Sequence, residues 1–183
     1  MAVRLALVVV LGIVWACRPI PAARAPVAMA PCCVVLRYAV DPAFGPNEIG
    51  AVADGIEAWR ISTGGQACFI RDESRYDVAI LRASSRFELV AEEGPHGDWS
   101  QHIGMLSADG TRIWLVVTDL SADMISALAA HEVGHALLGS YHARQGDRSV
   151  MTPILGELER HPNAPPTLPV DDVAQFERQW ACR

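Results

Sequence analysis

The chain has 183 residues, 51% hydrophobic, 20% charged and 7% aromatic, with a formal net charge of −6 and a mean hydropathy of +0.19. That length and apolar share suit one globular domain with its own core, and exclude a disordered tail or a collagen-like fibre. The mild acidity argues against nucleic acid as a partner, and a single apolar run at the N-terminus excludes a polytopic membrane protein.

Arg4 opens a positive n-region, and residues 5–14 form an unbroken apolar run. Ten helical residues span about 15 Å, roughly half of a bilayer core. The charge, the short run and the small Ala16 match a secretory signal peptide over residues 1–16. Val14-Trp15-Ala16-Cys17 resembles a bacterial lipobox, with Trp15 where a small residue is usual and Cys17 as the lipidated first residue. The same bond suits an ordinary signal peptidase. The expected location is the cell envelope, with the chain lipid-anchored to a membrane through Cys17, or secreted if Cys17 is not lipidated. An uncleaved membrane anchor is the alternative. Residues 17–33 then read as the lipidated Cys and a Pro/Ala-rich tether. Residues 34–183 read as the folded domain, expected to be a monomer.

Five Cys is an odd number for an exported chain. With Cys17 taken by lipid, Cys32, Cys33, Cys68 and Cys182 remain, enough for two disulfides in an oxidising compartment. Adjacent Cys rarely pair, so two connectivities stay open. Either Cys32 joins Cys68 and Cys33 joins Cys182, or the reverse. A four-Cys metal site lacks the usual C-x-x-C pair.

Residues 34–40 are β-branched and apolar, and predict a strand that Asp41-Pro42 ends. Pro46 opens a helix to about residue 63, with Ile49, Val52, Ala53, Ile56 and Trp59 on one face. Gly64-Gly65 stops it. Strands are expected at 67–71 and 76–83. Residues 84–101 are polar and predict a long surface loop. Residues 103–106 and 112–118 flank Ala108-Asp109-Gly110 as a hairpin. Ser121 or Asp119 caps a helix over about 122–138. Residues 152–169, with five Pro, predict a loop. Residues 170–180 form a last amphipathic helix, with Asp171 and Asp172 favourable at its positive end. Trp59, Trp114 and Trp180 are expected in the core. The order implies an α+β fold: one mixed sheet with helices packed on it.

Three of the six His fall between residues 131 and 142, starting with His131-Glu132-Val133-Gly134-His135. On a helix, positions i and i+4 lie about 40° apart around the axis and about 6 Å apart along it, so both imidazoles can reach one metal ion. Glu132 is rotated by about 100°, beside the metal, where a base for an activated water belongs. Gly139 is expected to end the helix in the αL conformation and reverse the chain, returning His142 as a third nitrogen ligand. Met151 follows in Ser149-Val150-Met151-Thr152-Pro153. His96, His102 and His161 have no spacing partner and read as surface or loop residues.

These residues resemble the metzincin metallopeptidases, most closely the matrixin (matrix-metalloproteinase-like) branch, whose motif is H-E-x-x-H-x-x-G-x-x-H followed by a Met-containing turn. Residues 49–63 with Ala58-Trp59, 76–80, and 168–180 with Asp171-Asp172-Val173 are similar in order to the flanking elements of such domains. The resemblance implies a metzincin-like zincin catalytic domain: a mixed twisted sheet, an active-site helix and a C-terminal helix. It implies Zn2+ held by His131, His135 and His142, Glu132 as general base, and Met151 beneath the metal. The activity implied is endopeptidase cleavage of a peptide or protein substrate. An extended peptide would lie along an edge strand, with the 103–118 hairpin the expected edge, and loop 152–169 would wall the specificity pocket.

The chain departs from the family pattern in having three residues, not two, between His135 and Gly139. One extra residue turns a helix by about 100° and lengthens it by about 1.5 Å, which the reversal must absorb. Thr152 stands where matrixins often have Tyr. One alternative is thermolysin-like ligation with Glu157 or Glu159 third, Asp147 being a minor option. Another is a non-catalytic zinc-containing envelope lipoprotein. Metal-dependent hydrolysis of a non-peptide envelope component is a further one. A last alternative is Cys32 or Cys33 as a latency thiolate on zinc, for which the rest of the propeptide motif is missing around Pro31-Cys32-Cys33-Val34.

Overall fold

The computed structural model describes residues 31–93, 103–142, 149–151, 168 and 170–180. Its order is β1 (Val34–Val40), α1 (Pro46–Ser62), β2 (Ala67–Arg71), β3 (Val78–Ala83), α2 (Arg86–Glu93), β4 (Gly104–Leu106), β5 (Arg112–Val116), α3 (Ala122–Leu138) and α4 (Val170–Trp180). The signal sequence, Cys17, the tether up to residue 30 and Cys182 lie outside the described residues, as do His96, His102, His161, Asp147, Glu157, Glu159 and most of loop 152–169. Among the described residues, no helix is long and apolar enough to cross a membrane.

The five strands form one sheet in the order β2-β1-β3-β5-β4. β1 pairs in parallel with β2 and β3, and β3 in parallel with β5. Among the described strands only β4 runs antiparallel, pairing Gly104 with Leu115 and Leu106 with Ile113. The hairpin that sequence predicts therefore closes the sheet, with β4 at one edge and β2 at the other. Its turn places Gly110 at φ 73° and carries the hydrogen bond Gly110 N to Ser107 O. Asp109 Oδ1 accepts from the hydroxyls of Ser107 and Thr111 and from the Thr111 amide.

Alternation sets the buried face. Ile80 and Ile113 sit opposite each other in the β3–β5 register, and both are fully buried with Leu115. α1 starts where expected: Pro46 needs no amide partner, and Glu48 reaches back to the Gly45 N–H at 2.7 Å. α1 packs on α3 through Trp59, fully buried, whose indole N–H donates to Ala130 O at 2.7 Å.

The expected surface loop at 84–101 contains α2 instead. Glu88 accepts from the Ser84 N–H and Oγ, and Leu89 is fully buried. The Ser85-x-x-Glu88 spacing is a helix-start signal that the polar composition obscures. Leu89 then anchors a helix too short to show periodicity. Trp180 is a second correction. It is 38% exposed, not in the core, because its indole N–H serves the end of α3 by donating to Leu137 O at 3.0 Å.

Cys32 and Cys68 are joined, with Cα atoms 5.6 Å apart. The bridge ties the segment before β1 to β2, its parallel neighbour, and decides between the two connectivities left open for Cys32. Cys33 is also disulfide-bonded, and its partner lies outside the described residues. Neither is therefore a free thiolate for latency.

Candidate metal centre

α3 is held at both ends. Ser121 is the N-cap, its hydroxyl accepting from Met124 N at 3.3 Å. Leu137 O, an orphan carbonyl of the last turn, accepts from Gln179 Nε2 at 3.1 Å and from Trp180 Nε1. Between these ends the helix places His131 and His135 one turn apart.

Ring nitrogens of His131, His135 and His142 all lie within 4.8 Å of one another. The ring centroids are 4.7 Å apart for His131–His135, 4.6 Å for His135–His142 and 5.4 Å for His131–His142. The reversal does bring His142 back, despite the extra residue. The helix simply runs on to Leu138, with Gly139 N still bonded to His135 O at 2.8 Å. Gly139 then takes φ 68° and ψ −143°, not the αL values expected of it. The positive φ requires glycine. The unusual ψ accompanies a Gly139 carbonyl facing the His135 ring.

That carbonyl lies 2.8 Å from His135 Nδ1. His131 Nδ1 lies 2.6 Å from Val150 O. With Nδ1 donating to a carbonyl in each neutral ring, Nε2 carries the lone pair. The two Nε2 atoms face each other across 3.1 Å. Two lone pairs at that distance repel unless a cation lies between them. Two ligands of a tetrahedral ion at about 2.0–2.1 Å would stand about 3.3 Å apart. The donor set therefore fits a divalent metal favouring imidazole, and this is a candidate metal-binding site. Burial also lowers the His135 pKa, opposed by the Gly139 hydrogen bond, with His142 lowering it further. Lowering favours the neutral ring that a metal needs.

Glu132 is 4% exposed, and its carboxyl group packs against Gly104 of the edge strand. A Cβ on Gly104 would stand 2.8 Å from Glu132 Cδ and Cγ, so this strand position has to be bare. Burial pushes the Glu132 carboxyl up to about 8. A cation beside it would pull that value down again.

Met151 is fully buried beneath α3. Its sulfur occupies the space a Gly134 Cβ would need, and Trp59 Cζ2 stands 2.9 Å from that same point. Gly134, between the two helical His, thus lets Met151 and Trp59 close under the cluster. The turn holding Met151 is pinned by Asp172 of α4. Asp172 Oδ1 accepts from Ser149 Oγ at 2.5 Å, and Oδ2 from Val150 N at 3.0 Å. Burial raises the Asp172 pKa, with hydrogen bonds from Ser149, Val150 and Met151 opposing. Sequence reasoning placed Asp171 and Asp172 together as helix-dipole acids. Only burial separates them: Asp172 is inside, Asp171 exposed. No local spacing in the sequence marks the Ser149 hydroxyl or the Gly139 carbonyl as part of the site.

No family model matches the sequence, and no curated protein shows significant similarity to it. The solved structure of high choriolytic enzyme 1 (HCE-1), a hatching enzyme zinc-protease from the medaka fish Oryzias latipes, is similar in fold. The TM-score is 0.50 at 14% identity, covering 82% of this chain and 90% of that one. The fold is metzincin-like. Mixed twisted sheet, flanking helices and C-terminal helix agree with the expected zincin architecture, and β4 lies at the sheet edge on the side of Glu132.

Proposed function

We propose that this chain is a zinc-dependent endopeptidase of metzincin type, with His131, His135 and His142 as ligands and Glu132 as general base. The convergence of three imidazoles beside a buried glutamate carries this reading. Zinc, when bound, would polarise the scissile carbonyl and make water a nucleophile near neutral pH. Glu132, screened from bulk water, accepts the proton of the attacking water and returns it to the leaving amine. The His131 and His135 rings keep their tautomers because two backbone carbonyls hold their Nδ1 protons. β4 offers its outer backbone edge to an extended peptide, which would add as a further strand beside Glu132.

The His142 position favours three-imidazole ligation over a glutamate third ligand. The matrixin-like Met turn at Met151 and a lipid anchor at Cys17 belong to the same proposal, with the enzyme working at a membrane surface outside the cytoplasm.

Glu132→Ala should keep its zinc and lose cleavage of an unfolded protein substrate; retained cleavage rejects the base. His142→Ala should lose most of its zinc. Zinc retained there, but released by Glu157→Ala or Glu159→Ala, selects the thermolysin-like alternative. Zinc content without cleavage of any of several unfolded substrates selects the non-catalytic one. Mass spectrometry of the mature protein should find an acylated Cys17 and no free thiol.

A further inference from the structure

A continuous run of hydrogen bonds leads from His131 to a buried carboxylate 41 positions away in sequence. His131 Nδ1–H donates to Val150 O at 2.6 Å. The other end of that peptide unit, Met151 N–H, donates to Ser149 Oγ at 2.9 Å. The Ser149 hydroxyl donates to Asp172 Oδ1 at 2.5 Å. Every donor in the series points the same way, away from the imidazole and toward the acid. Val150 N–H meets the second carboxylate oxygen at 3.0 Å, so Asp172 grips the turn at two points. Ser149, Met151 and Asp172 are all buried.

We propose that Asp172 is a positioning residue for the candidate metal site, acting on His131 through Ser149 and the Val150–Met151 peptide. The inference rests on the zinc reading above. Drawing the Met151 N–H toward an acceptor polarises the peptide and makes its carbonyl oxygen a stronger acceptor. That oxygen holds the His131 proton on Nδ1 and presents Nε2 to the cluster. Histidine ligands commonly give their second N–H to a carboxylate directly. Here a peptide unit and a serine hydroxyl stand between the two. The device places the carboxylate on α4, so docking of the C-terminal helix and orientation of the first His become one event. A purely packing role for Asp172 would affect stability and leave the His131 tautomer alone.

The test compares wild type with Asp172→Asn, Ser149→Ala and, as control, the exposed neighbour Asp171→Asn. Histidine 15N chemical shifts are recorded in the metal-free proteins, and Zn2+ affinity is measured by competition with a chromophoric chelator. Wild type and Asp171→Asn should show His131 protonated on Nδ1. Asp172→Asn and Ser149→Ala should move the His131 nitrogens toward a mixture of tautomers and weaken Zn2+ binding by about 10- to 100-fold. Unchanged His131 shifts in either folded variant overturn the proposal. If Asp172→Asn does not fold, Ser149→Ala decides alone. If wild type binds no Zn2+, the zinc reading falls, while the tautomer comparison still decides whether Asp172 acts on His131.

Discussion

His135 Nδ1 lies 2.8 Å from the carbonyl oxygen of Gly139, the residue that ends its own helix. One glycine thus stops α3, turns the chain toward His142 and holds the ring of the second His. Gly139→Ala puts a Cβ at φ 68° and ψ −143°, a region that is essentially glycine's alone, which costs about 1–3 kcal/mol. Relaxing that strain rotates the carbonyl off His135. The variant should lose both thermal stability and Zn2+ affinity, the latter by at least tenfold, read by a melting curve and a competition titration. Unchanged affinity in a destabilised protein would separate the turn from the site.

Met151 and Gly134 should be energetically coupled. Gly134→Ala forces a methyl into the space of the Met151 sulfur and should destabilise by about 1–3 kcal/mol. Met151→Ala empties a fully buried site and should cost about 2–5 kcal/mol. The double variant should cost less than the sum, because the added methyl enters the vacated space. Urea unfolding of all four proteins measures the coupling, and strict additivity would contradict the contact.

Metal should be linked to stability. An ion that binds only the folded cluster adds about 2.7 kcal/mol at a free concentration 100-fold above its Kd. For a chain of this size that corresponds to roughly 5–10 °C in Tm. EDTA should lower Tm by about that amount, and Zn2+ should restore it. His131→Ala should melt the same with or without EDTA.

Asp109 links the β4–β5 turn to pH. Hydrogen bonds from Ser107 and Thr111 hold its carboxyl down at about 2, below the ordinary value near 3.9. A depressed carboxylate stabilises the fold above its unfolded pKa, and the contribution is lost as pH falls from about 4 through about 2. Asp109→Asn should therefore be less stable than wild type at pH 7. The two Tm curves should converge as the pH drops below 4. Parallel curves across that window would show that the turn does not depend on the charge.

The Cys32–Cys68 bridge closes a loop of 36 residues. Loop-closure entropy assigns it about 4 kcal/mol. Replacing both residues by Ala should lower the unfolding free energy by a few kcal/mol while leaving the spacing of the three His, and hence Zn2+ stoichiometry, intact. Loss of zinc in a folded double variant would mean that the bridge also shapes the site.

Much of this was legible in the chain itself. Pro46, Ser121 and the Gly64-Gly65 stop mark helix ends through contacts spanning a few residues, and the observed α1 and α3 fall where these signals put them. The 131/135 spacing fixes two imidazoles on one helical face by the 3.6-residue repeat alone. Residues 103–106 and 112–118 flanking the Ala108-Asp109-Gly110 turn forecast the hairpin, since turn chemistry is local. Other features depended on where distant segments meet. Asp171 and Asp172 are equivalent acids in a first helical turn until α4 docks and buries only one of them. Gly139 needed the folded reversal to show its ψ, because the extra residue before it could be absorbed in several ways. Cys32 had two possible partners, and the parallel pairing of β1 with β2 chose Cys68. Propensity, capping and periodicity act within a turn or two of helix, so sequence determined the elements other than the short α2, and two of the three imidazole positions. Burial and hydrogen bonding between residues far apart exist only once the chain has crossed itself, so tertiary structure alone decided which carboxylate, which carbonyls and which sulfur surround them.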